Sequence, residues 1–312
     1  DGNDKMRSYS LLPVSVSGLS NVSQIVADHS HSCALISGGT VKCWGKNDVG
    51  QLGDGTSVLM NNVTVSGVSN ASSVKVSYES ACVLLQDNTV KCWGSYGTVG
   101  IDTSSHQLSP VTIDNLTSVV QLDKGNYHSC ARLSGGSLKC WGANRYSQLG
   151  NSTIATSYNS RSKTPIAVSG ISNALYLGTG RDNSCSVLTD GTVKCWGYNY
   201  YGQLGDGTTT NRSSPVSVSG ITGATQVSAG YHSSCALLSN GTVKCWGIKG
   251  TYGYLGDGNL GVKTSPVSVS GLSSASQGNA WNHTCVVEGG AVKCWGDNAY
   301  GKLGDGTTTN RS

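Results

Sequence analysis

Apolar and polar residues alternate in short runs along the chain. Val14-Ser15-Val16-Ser17 and Val216-Ser217-Val218-Ser219 put valines on one face of an extended segment and serines on the other. That period of two is the signature of a half-exposed strand. The five prolines, Pro13, Pro110, Pro165, Pro215 and Pro266, all open such a run. A missing amide donor is tolerated there on an outer strand, so this run is expected to be outermost in its sheet. Ahead of it in each stretch come a mixed run such as SNVSQIVA and two apolar runs, CALI and TVKCWG, separated by a turn. Gly38-Gly39, Asp190-Gly191, Asn240-Gly241 and Gly289-Gly290 supply the positive-φ residues that tight hairpins require. No window shows helical periodicity with caps, and the pattern predicts an all-β chain.

The same order of runs recurs throughout. The first cysteine of each copy falls at Cys33, Cys82, Cys130, Cys185, Cys235 and Cys285, in steps of 49, 48, 55, 50 and 50 residues. Residues 1–312 therefore read as one array of six repeats, each with four short strands, forming a single domain.

Each repeat carries two cysteines. Nine residues separate them in five repeats and eight in the last. A two-residue turn at Gly289-Gly290 sets Cys285 opposite Cys294, and a bulged three-residue turn does the same for the longer hairpins. Opposed residues of a non-hydrogen-bonded pair lie about 4.5 Å apart at Cα, within disulfide reach. The expected bridges are Cys33 to Cys43, Cys82 to Cys92, Cys130 to Cys140, Cys185 to Cys195, Cys235 to Cys245, and Cys285 to Cys294. Zinc sites use shorter spacings and four convergent ligands, so no metal is expected. Paired cysteines in even number imply an oxidising compartment, extracellular or at the cell surface.

Composition adds exclusions. Only 12% of residues are charged, the net charge is +4, and Lys and Arg form no long run, so nucleic acid is not an expected partner. No apolar segment approaches the roughly 18 residues of a membrane-spanning helix, and membrane insertion is not expected. The chain begins at Asp1 without an initiator Met or a leader-like segment.

The segments HSCAL, TVKCWG, YGQLGDGT and SPVSVSG, in that order at intervals of about 50 residues, resemble the regulator-of-chromosome-condensation repeat. The resemblance covers essentially the whole chain. It implies a β-propeller of four-stranded antiparallel blades, and the cysteine-rich form is similar to variants in secreted bacterial proteins. The best-known members have seven blades, against six repeats here. The second repeat replaces the GQLGDGT loop with SYGTVGIDTSSHQ, and the third follows YSQLGNST with a longer loop over Ile154 to Lys163. Those two repeats are expected to carry the distinctive surface.

The last repeat stops at LGDGTTTNRS, and an extra PVSVSG strand stands at the start of the chain. Leu11, Leu12, Pro13, Val14 and Val16 are therefore expected to complete the sixth blade. Pairing within one chain closes the ring, and pairing with a neighbouring copy makes a head-to-tail filament by strand addition. Asp1-Gly2 and Asp305-Gly306 share one loop position, which also fits a window cut from a longer array.

Candidate chemistry is sparse. His31, His128, His232 and His283 stand just ahead of cysteines and are expected to be structural, because Ser80 and Asn183 interrupt any complete set of ligands. Asp54, Asp206, Asp257 and Asp305 each precede a glycine and read as turn formers rather than calcium ligands. One Trp per repeat in the CWG segment suggests packing between blades, while Trp281, Tyr198, Tyr200 and Tyr201 fall outside the pattern as a candidate aromatic surface. No acid pair, nucleophile elbow or Ser/His/Asp set stands apart from the repeat, so neither an enzyme nor a cofactor is expected. The sequence favours an extracellular structural or adhesive protein that self-associates. The alternative is a secreted module that binds another protein or a glycan through its irregular repeats.

Overall fold

The structure, a computed structural model, describes residues 14–154, 156–248, 255–259, 261–280 and 283–312. The described residues form 23 strands and no helix, in six antiparallel sheets. The chain divides into two compact units.

The first unit runs to Ser134 and adds Lys139–Ala143 and Arg161–Ile166. Its first sheet is β1 (Val22–Ala27), β2 (His31–Ile36), β3 (Val41–Gly45) and β4 (Met60–Thr64). The second is β5 (Ala71–Ser77), β6 (Ser80–Leu85), β7 (Val90–Gly94) and β8 (Gln107–Thr112), and the third is β9 (Val119–Lys124), β10 (His128–Leu133), β11 (Leu138–Ala143) and β12 (Arg161–Ala167). The second unit takes the rest of the chain. It holds β13 (Ala174–Thr179), β14 (Asn183–Leu188), β15 (Val193–Gly197) and β16 (Arg212–Ser217), then β17 (Ala224–Ala229), β18 (Ser233–Leu238), β19 (Val243–Gly247) and β20 (Lys263–Ser268). Its last sheet is β21 (Ala275–Ala280), β22 (His283–Glu288) and β23 (Ala291–Gly296). Within every sheet, spatial order follows chain order.

Local chemistry explains these elements. β8, β12, β16 and β20 are edge strands, as their prolines require, but each begins three or four residues before its proline. An edge strand pairs on one side only, so a residue without an N–H can sit inside it if its nitrogen faces outward. In the hairpins, Cys33 pairs with Cys43, Cys185 with Cys195 and Cys285 with Cys294 in register. All six disulfides close across such pairs at Cα separations of 4.0 to 4.1 Å. Gly289 and Gly290, at φ 59° and 83°, make the two-residue turn of the shortest hairpin. The longer turns take their left-handed residue at Gly39, Asn88, Gly136, Gly191 and Gly241.

Packing within each unit repeats one arrangement. Trp93, Trp141, Trp196 and Trp246 are fully buried, and their Nε1 atoms donate to the carbonyls of Gln51, Thr98, Gln148 and Gln203 in the repeat before. Val74, Leu122, Leu177 and Val227 fill the first strands beneath. Gly278 takes that place in β21 and leaves a small cavity lined by Val243, Val286, Leu237 and Thr284.

Among the described residues the sixth sheet has three strands, followed by one bridge. Arg311 bridges Gly296 of β23, at the position where Arg212 and Lys263 open β16 and β20 opposite Gly197 and Gly247. The last repeat thus reaches the point at which β16 and β20 begin. Val14 and Val16 lie outside the strands and are exposed, and Leu11, Leu12 and Pro13 fall outside the described residues.

Candidate functional site

The recurring loop carboxylates are occupied by their own loops. Asn47, buried after β3, donates from Nδ2 to Asp54 Oδ1 (3.3 Å), the Thr56 carbonyl (3.1 Å) and the Val58 carbonyl (2.9 Å). Asn199 and Asn298 repeat the pattern on Asp206 and Asp305. Arg212 and Arg311 close on those two carboxylates at 2.7 and 2.9 Å. Burial alone would raise Asp206, but bonds from Thr208 and Arg212 outweigh it and hold the group below the usual range. These aspartates form turns. Among the described residues, no three His, Cys, Asp or Glu stand where they could hold one metal ion.

The first unit carries a buried polar cluster. His31 and His128 open β2 and β10, Lys124 closes β9, and Asp28 follows β1. Lys124 donates to Ser129 Oγ at 2.9 Å, and burial lowers its amine to about 7 against the pull of Asp28 and Asp123. Burial, then the Lys124 charge, lowers His31 to about 4 and His128 to about 3. Neither ring nitrogen of His31 has a partner among the described residues. The sequence signal for Lys124 was one lysine at a position where other repeats place Ala27, Val76, Thr179 and Ala229.

These depressed values set a pH dependence. Unfolded imidazoles take protons near pH 6.5, whereas the native ones do so only near pH 3 to 4. Below pH 6.5 the unfolded chain binds more protons, so stability is fully present above pH 6.5 and declines as the pH falls towards 4. Lys124 acts in the same direction between pH 10.5 and about 7. Thermal melting of the oxidised chain should therefore show a lower midpoint at pH 4.5 than at pH 7.5, and the His31→Asn/His128→Asn variant should flatten that slope.

The second unit carries the aromatic surface. Adjacent antiparallel strands alternate in direction, so the loops after the first and third strands of a sheet leave from the same end. Arg145, Tyr146 and Tyr158 follow β11, Arg181 and Asp182 follow β13, Tyr198, Tyr200 and Tyr201 follow β15, and Tyr231 and His232 follow β17. Their rings form a connected series: Tyr146 to Tyr198 at 4.5 Å, Tyr198 to Tyr201 at 6.1 Å, Tyr200 to Tyr201 at 5.0 Å, Tyr201 to His232 at 4.2 Å, and His232 to Tyr231 at 4.1 Å. A guanidinium stands at each end. Arg145 lies over Tyr158 at 4.4 Å and Tyr146 at 4.9 Å, and Arg181 lies over Tyr231 at 4.3 Å. Tyr158 and Tyr200 are 75% and 67% exposed, so large aromatic area is presented to solvent. Beneath them Asp182, raised by burial, contacts Arg181 at 3.3 Å and accepts from Gln148 at 3.2 Å. Burial and the Arg181 charge lower His232 to about 4, leaving it neutral at pH 7. The structure brings together the three tyrosines singled out from the sequence and joins to them Tyr146, Tyr231 and two arginines. Trp281 lies outside the described residues.

Six antiparallel blades, with the tryptophan of one repeat bonded to the loop of the repeat before, define an all-β propeller. More specifically, the chain belongs to the RCC1-like domain family, whose model matches residues 2–312. It is 25% identical over 301 residues to the ultraviolet-B receptor UVR8 of Arabidopsis thaliana, covering 92% of this chain and 68% of the receptor. It is 29% identical over 214 residues to the probable E3 ubiquitin-protein ligase HERC4 of Homo sapiens, spanning 65% of this chain and 20% of that protein. Yeast RCC1 (Prp20) bound to Kap60 superimposes with a TM-score of 0.81 at 20% identity, over 93% of this chain and 73% of its own. Human WBSCR16 gives 0.81 at 21% identity, over 93% and 80%.

Proposed function

We propose that the chain is an extracellular, non-catalytic propeller that binds another protein through the tyrosine and arginine surface of its second unit. The observation that carries this reading is the connected aromatic series. Exposed Tyr with flanking Arg is the composition of interface hot spots, and a rigid ring supplies contact area at low entropic cost. Placement outside the cell is supported by twelve cysteines that are all in disulfides. Support for a protein partner comes from yeast RCC1 (Prp20), which is found bound to Kap60.

Panning a displayed peptide library on the oxidised chain tests the proposal. Tyr200 is mostly exposed, so Tyr200→Ser should leave melting unchanged while enriched peptides lose at least about tenfold in affinity. Peptides that bind the variant as well as the wild type would place binding elsewhere.

Self-association by strand addition is a second reading, favoured by one observation. Val292 of β23 is 68% exposed, whereas Val41, Val90, Val193 and Val243 are buried at the same position of other sheets. Light scattering decides between them: an oligomer dissociated by removing residues before Val22 supports strand addition, and a mass near 32 kDa at all concentrations removes it.

A further inference from the structure

We propose that Arg145 anchors this surface by receiving a carboxylate from an acidic segment of the partner polypeptide. The inference rests on the tyrosine surface being the binding site and names the chemistry of what binds there.

The other arginines of the second unit are occupied. Arg181, Arg212 and Arg311 are ion-paired with Asp182, Asp206 and Asp305 at 3.3, 2.7 and 2.9 Å. Arg145 is exposed and lies against two tyrosine rings, and among the described residues no acceptor takes a hydrogen bond from it. A guanidinium resting on rings keeps its N–H edge free, and that planar fork matches a carboxylate with two parallel bonds. The rings also restrict the side chain, which lowers the entropy lost on binding.

The surroundings favour an anion as well. Asp182 interacts with Arg145 only through charge, because its short contacts go to Gln148 and Arg181, and the N–H edge of Arg145 stays open to a second carboxylate. His232 is neutral at pH 7, so the positive charge beside these rings comes from the arginines.

Ring geometry points to a polypeptide. Tyr198 and Tyr200 each meet Tyr201 edge-on, at 80° and 88°. Tyr198 and Tyr200 lie nearly parallel, at 15°, with Tyr201 across both, so the three rings do not share the single plane that stacking of a sugar ring would use.

The experiment uses the peptides selected on the wild-type oxidised chain, with heparin as a second probe, titrated at low and moderate salt. Enriched peptides should be rich in Asp and Glu. Their affinity should fall at least tenfold in Arg145→Gln and only partly recover in Arg145→Lys, which keeps the charge but loses the fork. Changing the peptide's carboxylates to amides should abolish the difference between wild type and Arg145→Gln. Neutral or basic peptides that need Tyr200 but ignore Arg145 would overturn the acidic partner and leave the surface intact. Peptides indifferent to Tyr200→Ser would overturn the surface itself. Arg145-dependent capture of heparin without peptide binding would assign the site to an acidic glycan and sink the proposal.

Discussion

Full reduction of the six disulfides should unfold the chain at room temperature. Each bridge closes a hairpin of sequence separation 9 or 10. In the chain-entropy account, that is worth about 2.5 to 3 kcal/mol. Three bridges fall in each compact unit. Their joint contribution of about 8 kcal/mol per unit rivals the whole stability of an ordinary domain, about 5 to 15 kcal/mol. The order of reduction should also be uneven. Ten of the cysteines are buried, whereas Cys285 and Cys294 are half-buried. Mild reductant and mass-resolved alkylation should label that pair first, and labelling of the remaining ten should coincide with loss of the near-ultraviolet signal from the buried tryptophans. Twelve alkylated thiols on a chain that keeps its native melting curve would refute this account of its stability.

The parts legible in the sequence were those fixed by neighbours within one repeat. Cys185 and Cys195 face each other because a short turn forces them to, and Asp206 accepts from Thr208 two residues on. Packing between repeats was legible in outline, because a tryptophan recurs, but its glycine partner was not. Gly205 looks like one more loop glycine until Trp246 is placed against it. The aromatic surface was half visible. Tyr198, Tyr200 and Tyr201 lie close in sequence, whereas Tyr146 and Tyr231 reach them from neighbouring sheets. The irregular third repeat, expected to carry a distinctive surface, supplies Arg145 and Tyr158 to it. The irregular second repeat instead sets Tyr96 against His106 and Arg161 in the other unit. A surface built from loops of several repeats has no local signature, because its spacing follows from packing rather than from any turn or period.

Trp246→Ala should cost about 3 to 5 kcal/mol, the range for removing a buried aromatic side chain. Trp246 has no exposed surface, and its Nε1 donates to the Gln203 carbonyl at 2.9 Å. Truncation removes the packing and one of that carbonyl's two donors, leaving Ser234 Oγ at 2.9 Å. The reciprocal change is informative. Gly205 has φ +68°, and a Cβ there would stand 2.8 Å from the indole. Gly205→Ala should therefore be destabilising for two reasons, a left-handed backbone that Ala disfavours by about 1 kcal/mol and a collision with the ring. Once Trp246 is Ala, the collision disappears and only the backbone cost remains. Urea unfolding of the two single variants and the double variant should give non-additive losses, with Gly205→Ala milder in the truncated background. Additive losses would mean that the glycine is required by its turn alone, and that the indole would tolerate a side chain beside it. Non-additive losses would identify one glycine and one tryptophan as a single packing unit, present also at Gly53 with Trp93, Gly100 with Trp141 and Gly150 with Trp196. A chain that repeats this unit between successive blades can vary its exposed loops without altering how its blades stack, which is the freedom the tyrosine surface uses.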